Sequence, residues 1–247
     1  MATLRGIGIS KFFGDKEVVK GIDLEVRGGE IVALVGRNGA GKTTTFQIIA
    51  GLLRPNKGKI FLDSEDITHL PSHEKSIRGI VYLPQEHSVF LKATVEENIS
   101  LVLEVHGLPK KRIKAITSEV LETLGLSHLS RQPAYTLSGG EKRRLEIARA
   151  LSINPKFLLM DEPFSGVDPL TVAELQKISL NLREMGIGIV ISDHNVRDTF
   201  EISDRVYVIH EGIVLVEGTP LEVSSNELAR KYFLGRDFKF GEERIEI

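Results

Sequence analysis

Gly36-Arg37-Asn38-Gly39-Ala40-Gly41-Lys42-Thr43-Thr44 stands between the apolar run Glu30-Ile-Val-Ala-Leu-Val35 and the stretch Thr45-Phe-Gln-Ile-Ile-Ala50. A buried strand, a glycine-rich turn and a helix start form the context of a phosphate-binding loop. Gly36, Gly39 and Gly41 open backbone conformations that a Cβ disfavours, so successive amide N–H groups can wrap an anion. The helix that follows aims the positive end of its dipole at the same phosphates. Lys42 can reach the β- and γ-phosphates, and the Thr43 hydroxyl can hold a magnesium ion. The stretch implies a nucleoside triphosphate site.

The bulk properties bound the rest. At 247 residues the chain has room for one large domain or two small ones. Its 27% charged and 41% hydrophobic residues are those of an ordinary globular chain. A net charge of -2 argues against nucleic-acid binding by global electrostatics. With no cysteine there is no disulfide framework and no thiolate metal site, which fits a reducing cytoplasm. Met1-Ala-Thr-Leu-Arg-Gly6 lacks the pattern of a signal peptide, and no apolar run approaches the roughly 18 residues of a membrane span. The expectation is a soluble chain that can still dock on a membrane protein.

Outward from the loop, residues 4–35 read as strands and turns, with Gly14-Asp15 and Gly28-Gly29 as turn signals. Phe12-Phe13 precedes the first turn, and an aromatic there either stacks on a nucleotide base or fills core. Lys59–Asp63 and Gly79–Leu83 read as further strands, the second closed by Pro84. From Thr94 the texture turns helical, over Val95–Val105 and Arg112–Leu124, with Thr94 as an N-cap ahead of Glu96 and Glu97. The Lys110–Lys114 cluster reads as a solvated helix start. Leu137-Ser-Gly-Gly-Glu141 opens another helix. Phe157–Asp161 and Gly188–Ser192 are buried strands, and Val206–His210 with Ile213–Glu217 flank Glu211-Gly212 as a hairpin. The pattern predicts an α/β fold, a phosphate-loop core of mainly parallel sheet with a helical insertion and an antiparallel β lobe at each end of the chain.

A second cluster of chemistry sits at Phe157-Leu-Leu-Met-Asp161-Glu162-Pro163. Carboxylates at the end of a buried strand are costly unless paired or metal-bound. Asp161 is the natural acceptor for a magnesium ion and its waters. Glu162, on the opposite face if strand alternation continues, could polarise an attacking water. Gln85 follows the strand ending at Leu83, where an amide could touch metal and water. His194 follows the Gly188–Ser192 strand, where an imidazole could bond a γ-phosphate. Ser138 and Gly140 form a second anion-ready helix start. Two such starts in one chain suggest a nucleotide sandwiched between two copies.

With these residues in order, the chain resembles the ATP-binding cassette ATPases over nearly its whole length. The resemblance rests on the phosphate loop, the glutamine loop at Gln85, the signature Leu137–Glu141, Asp161-Glu162, Ser165-Gly166-Val167-Asp168 and His194. It implies a head-to-tail homodimer burying two ATP molecules, each held by the phosphate loop of one subunit and the signature of the other. The loop Gly36, Arg37, Asn38, Gly39, Ala40, Gly41, Lys42, Thr43 and Thr44 then binds phosphate, and Ser138, Gly139 and Gly140 meet the opposite γ-phosphate. Thr43, Gln85 and Asp161 would hold Mg2+. Catalysis would fall to Glu162 as general base, with His194, Gln85 and Lys42, and Phe13 would stack on adenine, where tyrosine is commoner.

A narrower resemblance, to the ATPases of lipopolysaccharide export, rests on Tyr82–Glu86, Asp161–Pro169, Ser192–Asp198 and Tyr232–Phe238. It implies a subunit on the cytoplasmic face of the inner membrane, beneath two permeases, driving lipopolysaccharide toward the outer membrane. Coupling helices of the permeases would dock near Gln85 and Phe90, where an exposed Phe90 is an anchor and a buried one is core. The alternatives are the ATPase of a branched-chain amino-acid importer and a non-transport ATP switch. Domain expectations are a single ATPase domain over 1–247, with a nucleotide-binding core over about 1–86 and 156–235. A helical subdomain would span about 87–155, with a frayed, charged tail over 236–247.

Overall fold

The computed structural model describes residues 1–241. In chain order, β1 (Thr3–Phe13) and β2 (Lys16–Arg27) form a hairpin, and β3 (Ile31–Gly36) runs into α1 (Lys42–Ile49). Then come β4 (Lys57–Leu62), β5 (Glu65–Asp66), α2 (Ser72–Ile77), β6 (Ile80–Leu83), α3 (Val95–Val105), α4 (Lys110–Thr123) and α5 (Gly139–Ser152). After these follow β7 (Phe157–Asp161), α6 (Pro169–Glu184), β8 (Gly188–Ser192), α7 (Val196–Ile202), β9 (Arg205–His210), β10 (Ile213–Gly218) and α8 (Pro220–Ser225).

Two sheets result. The N-terminal one is antiparallel, in the order β2-β1-β4-β5, and the larger runs β10-β9-β3-β8-β7-β6. Strands β3, β6, β7, β8 and β9 are mutually parallel. Parallel strands covered on both faces need apolar side chains at every position, which is why β3, β7 and β8 are buried from end to end. Strand β2 instead alternates, with Val19, Ile22, Leu24 and Val26 turned inward. The C-terminal hairpin departs from expectation. It forms no separate lobe, because β9 pairs in parallel with β3 and β10 only adds an antiparallel edge.

Helix α1 lies between the two sheets, burying Phe46, Ile48 and Ile49 among strands of both. Its C-terminal end meets Lys75, a fully buried residue of α2 whose ammonium donates to the Ile48 and Ile49 carbonyls at 3.2 and 3.0 Å. Helices α3, α4 and α5 pack with α6 and one face of the large sheet in a second core. Both α3 and α5 open with a reciprocal capping box, Thr94 with Glu97 and Ser138 with Glu141. The basic start of α4 opens on a groove in which Lys110 and Lys114 share the walls with Glu96, Glu97 and Glu104. Beyond α8, Phe238 and Phe240 pack edge-on against Phe200 of α7, so the described part of the tail is held by aromatic contacts. The charged end expected to fray lies largely outside the described residues.

Candidate nucleotide site

The turn after β3 is shaped by what glycine alone permits. A Cβ on Gly36 would stand 2.2 Å from the Ile209 carbonyl oxygen, and Gly41 has a φ of 108° immediately before α1. No side chain caps α1, so the amides of its first turn are left for another acceptor. Lys42 is buried and donates to the carbonyls of Gly36 at 2.8 Å and Arg37 at 3.2 Å. Burial lowers its pKa below the ordinary value, while the charges of Glu162, Asp161 and Asp193 pull it back up. The ammonium thus stands bonded to the loop, facing carboxylates and with no charged partner at salt-bridge distance among the described residues.

A cavity of about 440 Å³ opens there, lined by Asn38, Gly39, Gly41, Lys42, Thr43 and Thr44 together with Gln85, Glu162 and His194. Arg37 and Ala40 border a neighbouring hollow with His210 and Glu211. The sheet order explains the convergence. The strand carrying the loop, β3, pairs with β8, which leads to His194; β7 pairs on β8's other side and delivers Asp161 and Glu162; and β6 delivers Gln85. All four are parallel, so their C-terminal ends meet on one edge, where ligands of open α/β sheets bind.

Asp161 is the last residue of β7 and is fully buried; its Oδ2 accepts from the Tyr82 hydroxyl at 3.1 Å, while Oδ1 has no partner among the described residues. Glu162 lies beyond the strand with φ 51°, its amide held by the Ser192 carbonyl at 2.6 Å. Left-handed backbone, rather than continued strand alternation, therefore sets the course of the chain at Glu162. Burial raises the Glu162 pKa, and His194, with Nε2 at 3.3 Å from Oε2, opposes the rise. The His194 contact is close enough for an ion pair yet misaligned for a hydrogen bond, so Glu162 Oε2 is left unsatisfied.

Two positioning residues escaped the sequence reading. Tyr82 fixes Asp161, as described. Asp193 is fully buried and accepts from the Phe164 amide at 2.8 Å and the Asn195 amide at 2.9 Å. It clamps the segment after Glu162 to the turn bearing His194. Its signal was its place beside His194 after an apolar strand, where an aspartate is buried only if its oxygens are satisfied.

Other expected residues lie apart. Ser138, Gly139 and Gly140 open α5 and line none of the cavity, with Ser138 and Gly139 exposed. Phe13 ends β1, the residue 49% exposed and Lys11 Nζ 5.5 Å from its ring centre. That removes the core alternative for Phe13. Phe90 is also exposed, with the Arg149 guanidinium 4.6 Å from its ring centre.

The donor set suits a hard divalent cation. Glu162 lines the cavity with the exposed Thr43 and Gln85, while Asp161 lies buried behind the lining; Asp161 Oδ1 and Glu162 Oε2 have no hydrogen-bond partner among the described residues. No group of three or more His, Asp or Glu side chains able to hold a metal occurs among the described residues. A cation here would therefore take most of its ligands from substrate phosphates and water, as magnesium does.

Comparison with known proteins accords with this geometry. The model of the ABC transporter family matches residues 19–165. A lipopolysaccharide export system ATP-binding protein of Haemophilus influenzae is 45% identical, covering 97% of this chain and 100% of that protein. Its Escherichia coli K12 counterpart is 43% identical with the same coverage. A probable ABC transporter ATP-binding protein of Azorhizobium caulinodans is 44% identical over 96% of this chain and 84% of its own length. Among solved structures, an ATP-binding cassette of an ABC transporter in its ADP conformation superposes with a TM-score of 0.87 at 30% identity. It covers 95% of this chain and 99% of that one.

Proposed function

The chain belongs to the ABC transporter family and is one of its ATPases, and on that premise we propose that two copies drive lipopolysaccharide out of the inner membrane for export to the outer membrane. The cargo rests on one observation: identity of 43–45% to lipopolysaccharide export ATP-binding proteins along their entire length. The pairing rests on geometry, since Ser138 and Gly140 stand outside the cavity that gathers Lys42, Glu162 and His194. A second copy would bring its own Ser138 and Gly140 over that cavity.

In this reading Phe13 stacks on adenine, and the amides of 36–44 take the β- and γ-phosphates. Lys42 exchanges the Gly36 and Arg37 carbonyls for phosphate oxygens. Thr43, Gln85 and Asp161 would hold Mg2+, which when bound neutralises phosphate charge. Glu162 orients a water toward the γ-phosphorus and takes its proton as the bond to the bridging oxygen of ADP breaks. Its raised pKa suits that task, because a base nearer the working pH accepts a proton more readily. His194 holds the γ-phosphate and keeps Glu162 aimed. Each γ-phosphate bridges both copies, so ATP selects a closed dimer and product release reopens it.

The division into a core over 1–86 and 156–235 and a helical subdomain over 87–155 is part of the proposal, as is docking of two permeases near Gln85 and Phe90. So is the cytoplasmic face of the inner membrane as its location, where a subunit could work without a span of its own. No helix among the described residues is long and apolar enough to cross a membrane.

A tagged pull-down from detergent-solubilised host membranes tests the reading. Two permeases co-purifying with lipopolysaccharide are expected. Permeases with a periplasmic amino-acid-binding protein would overturn the cargo, and co-sedimentation with ribosomes would overturn transport itself.

A further inference from the structure

Between β6 and α3 the chain has no regular structure from 84 to 94, so its path is set by whatever its polar groups bond. The side chains that bond residues 84–88 come from α5, while Asn98 of α3 holds the backbone of Phe90. Arg143 Nη1 donates to the Pro84 carbonyl at 3.0 Å, and Nη2 to the Gln85 carbonyl at 3.3 Å. Nη2 also reaches the Glu162 carbonyl at 3.4 Å. Glu146 Oε1 accepts the Ser88 amide at 2.5 Å, and His87 Nδ1 lies 3.3 Å from Oε2. Arg149 donates to the Ser88 carbonyl at 2.6 Å and covers the ring of Phe90. Two of these side chains face each other inside the protein: Arg143 and Glu146 are 3% and 1% exposed and joined at 3.0 Å.

A buried ion pair is weak evidence for a stabilising role, because apolar residues of similar volume often serve as well. What arginine adds is a rigid fork of donors that can hold several acceptors in one geometry. Here the fork holds Glu146 and three carbonyls from two segments that end in the cavity. The same 14-residue helix begins at the Ser138 cap. Displacement of its first turn therefore moves Arg143 and Glu146 with it, as one body.

We propose that the Arg143–Glu146 pair is a strut that fixes the Gln85 loop and Glu162 to the signature helix. Contact of Ser138 and Gly140 with the nucleotide of a second copy then sets the positions of Gln85 and Glu162 in this one. The inference rests on the paired-ATPase reading above. Arg143 and Glu146 are positioning residues, acting on the nucleotide only through the residues they hold.

The informative variant is Arg143→Met with Glu146→Leu, since removing one partner alone would strand a buried charge. Hydrogen exchange is followed on peptides spanning 84–91 and 137–141, with and without ATP, in a Glu162→Gln background where nucleotide persists. Steady-state ATPase kinetics are measured separately with Glu162 intact. The parent should gain ATP-dependent protection in both peptides. The double variant should bind a fluorescent ATP analogue like the parent and keep protection at 137–141, yet lose it at 84–91. Its kcat should fall roughly 10- to 100-fold with KM unchanged, the cost of a misplaced site. Parent-like protection at 84–91 or an unchanged kcat in the double variant would overturn the strut. Absence of protection at 137–141 in the parent would instead overturn the paired reading, and the strut with it.

Discussion

His194 Nε2 lies 3.3 Å from Glu162 Oε2, the histidine half-exposed and the carboxylate buried. Neither is satisfied by the other, for the alignment is too poor for a hydrogen bond and Oε2 is left without a partner among the described residues. A buried acceptor in that condition is costly unless something arrives to bond it, and a water held for attack is such a donor.

Replacing Glu162 by Gln keeps the shape and removes the base. Loss of a general base costs about 10²- to 10⁴-fold, so kcat should fall by that amount while ATP binding persists. Size-exclusion chromatography with saturating ATP and magnesium should show a dimer. A monomeric variant under those conditions would count against closure by the bound nucleotide.

The Tyr82→Phe change removes only the hydroxyl that holds Asp161 Oδ2. Groups behind a metal ligand commonly tune affinity by about 10- to 100-fold, so a magnesium titration of ATPase activity should shift to higher concentration. Binding of ATP without magnesium should stay as it was, and a parallel loss there would assign Tyr82 to folding instead.

Asp193 receives two amides, one on each oxygen. In Asp193→Asn the side-chain NH2 replaces one acceptor and faces an N–H donor. Stranding a buried donor costs about 1–3 kcal/mol, which urea unfolding should register. The kcat should drop as His194 loses its anchorage to the Phe164 segment.

Lys75 bonds two carbonyls and pairs with no carboxylate among the described residues, and burial brings its pKa from 10.5 to about 8. Between those values the unfolded chain binds the proton and the folded one releases it, so stability contributed by this site rises with pH across the window. Below pH 8 both states are protonated and the burial cost is fully present. The difference in urea-unfolding free energy between the wild type and Lys75→Met should therefore move in favour of the wild type between pH 7.5 and 10, by up to about 2–3 kcal/mol. A difference independent of pH would show that the Lys75 ammonium is not perturbed.

Sequence patterns recovered the parts of the fold that repeat locally. Runs such as Ile31–Val35 and Phe157–Asp161 announce strands covered on both faces, and Thr94 announces a helix through its cap. Residues of the phosphate loop were legible because glycine spacing and helix start lie within nine positions. Pairing order was not, since nothing near Val206–His210 says that β9 lies beside β3 rather than in a lobe of its own. Arg143 was hidden for another reason. In Lys142-Arg143-Arg144 it reads as one of three solvated cations, and only the acid at Glu146 on the buried side of α5 hints that one of them turns inward.

The neighbours of β3 bear on how the chain is made. Both strands that flank it, β8 and β9, come from the last quarter of the sequence. A ribosome that has finished the phosphate loop must still deliver everything through His210 before β3 has a partner on each side. Long-range pairing of this kind is slow and leaves apolar edges open while it waits. The nucleotide site can therefore be assembled only after β8 and β9 have been made, and a truncated product that carries the loop but stops short of them should have no competent place for ATP.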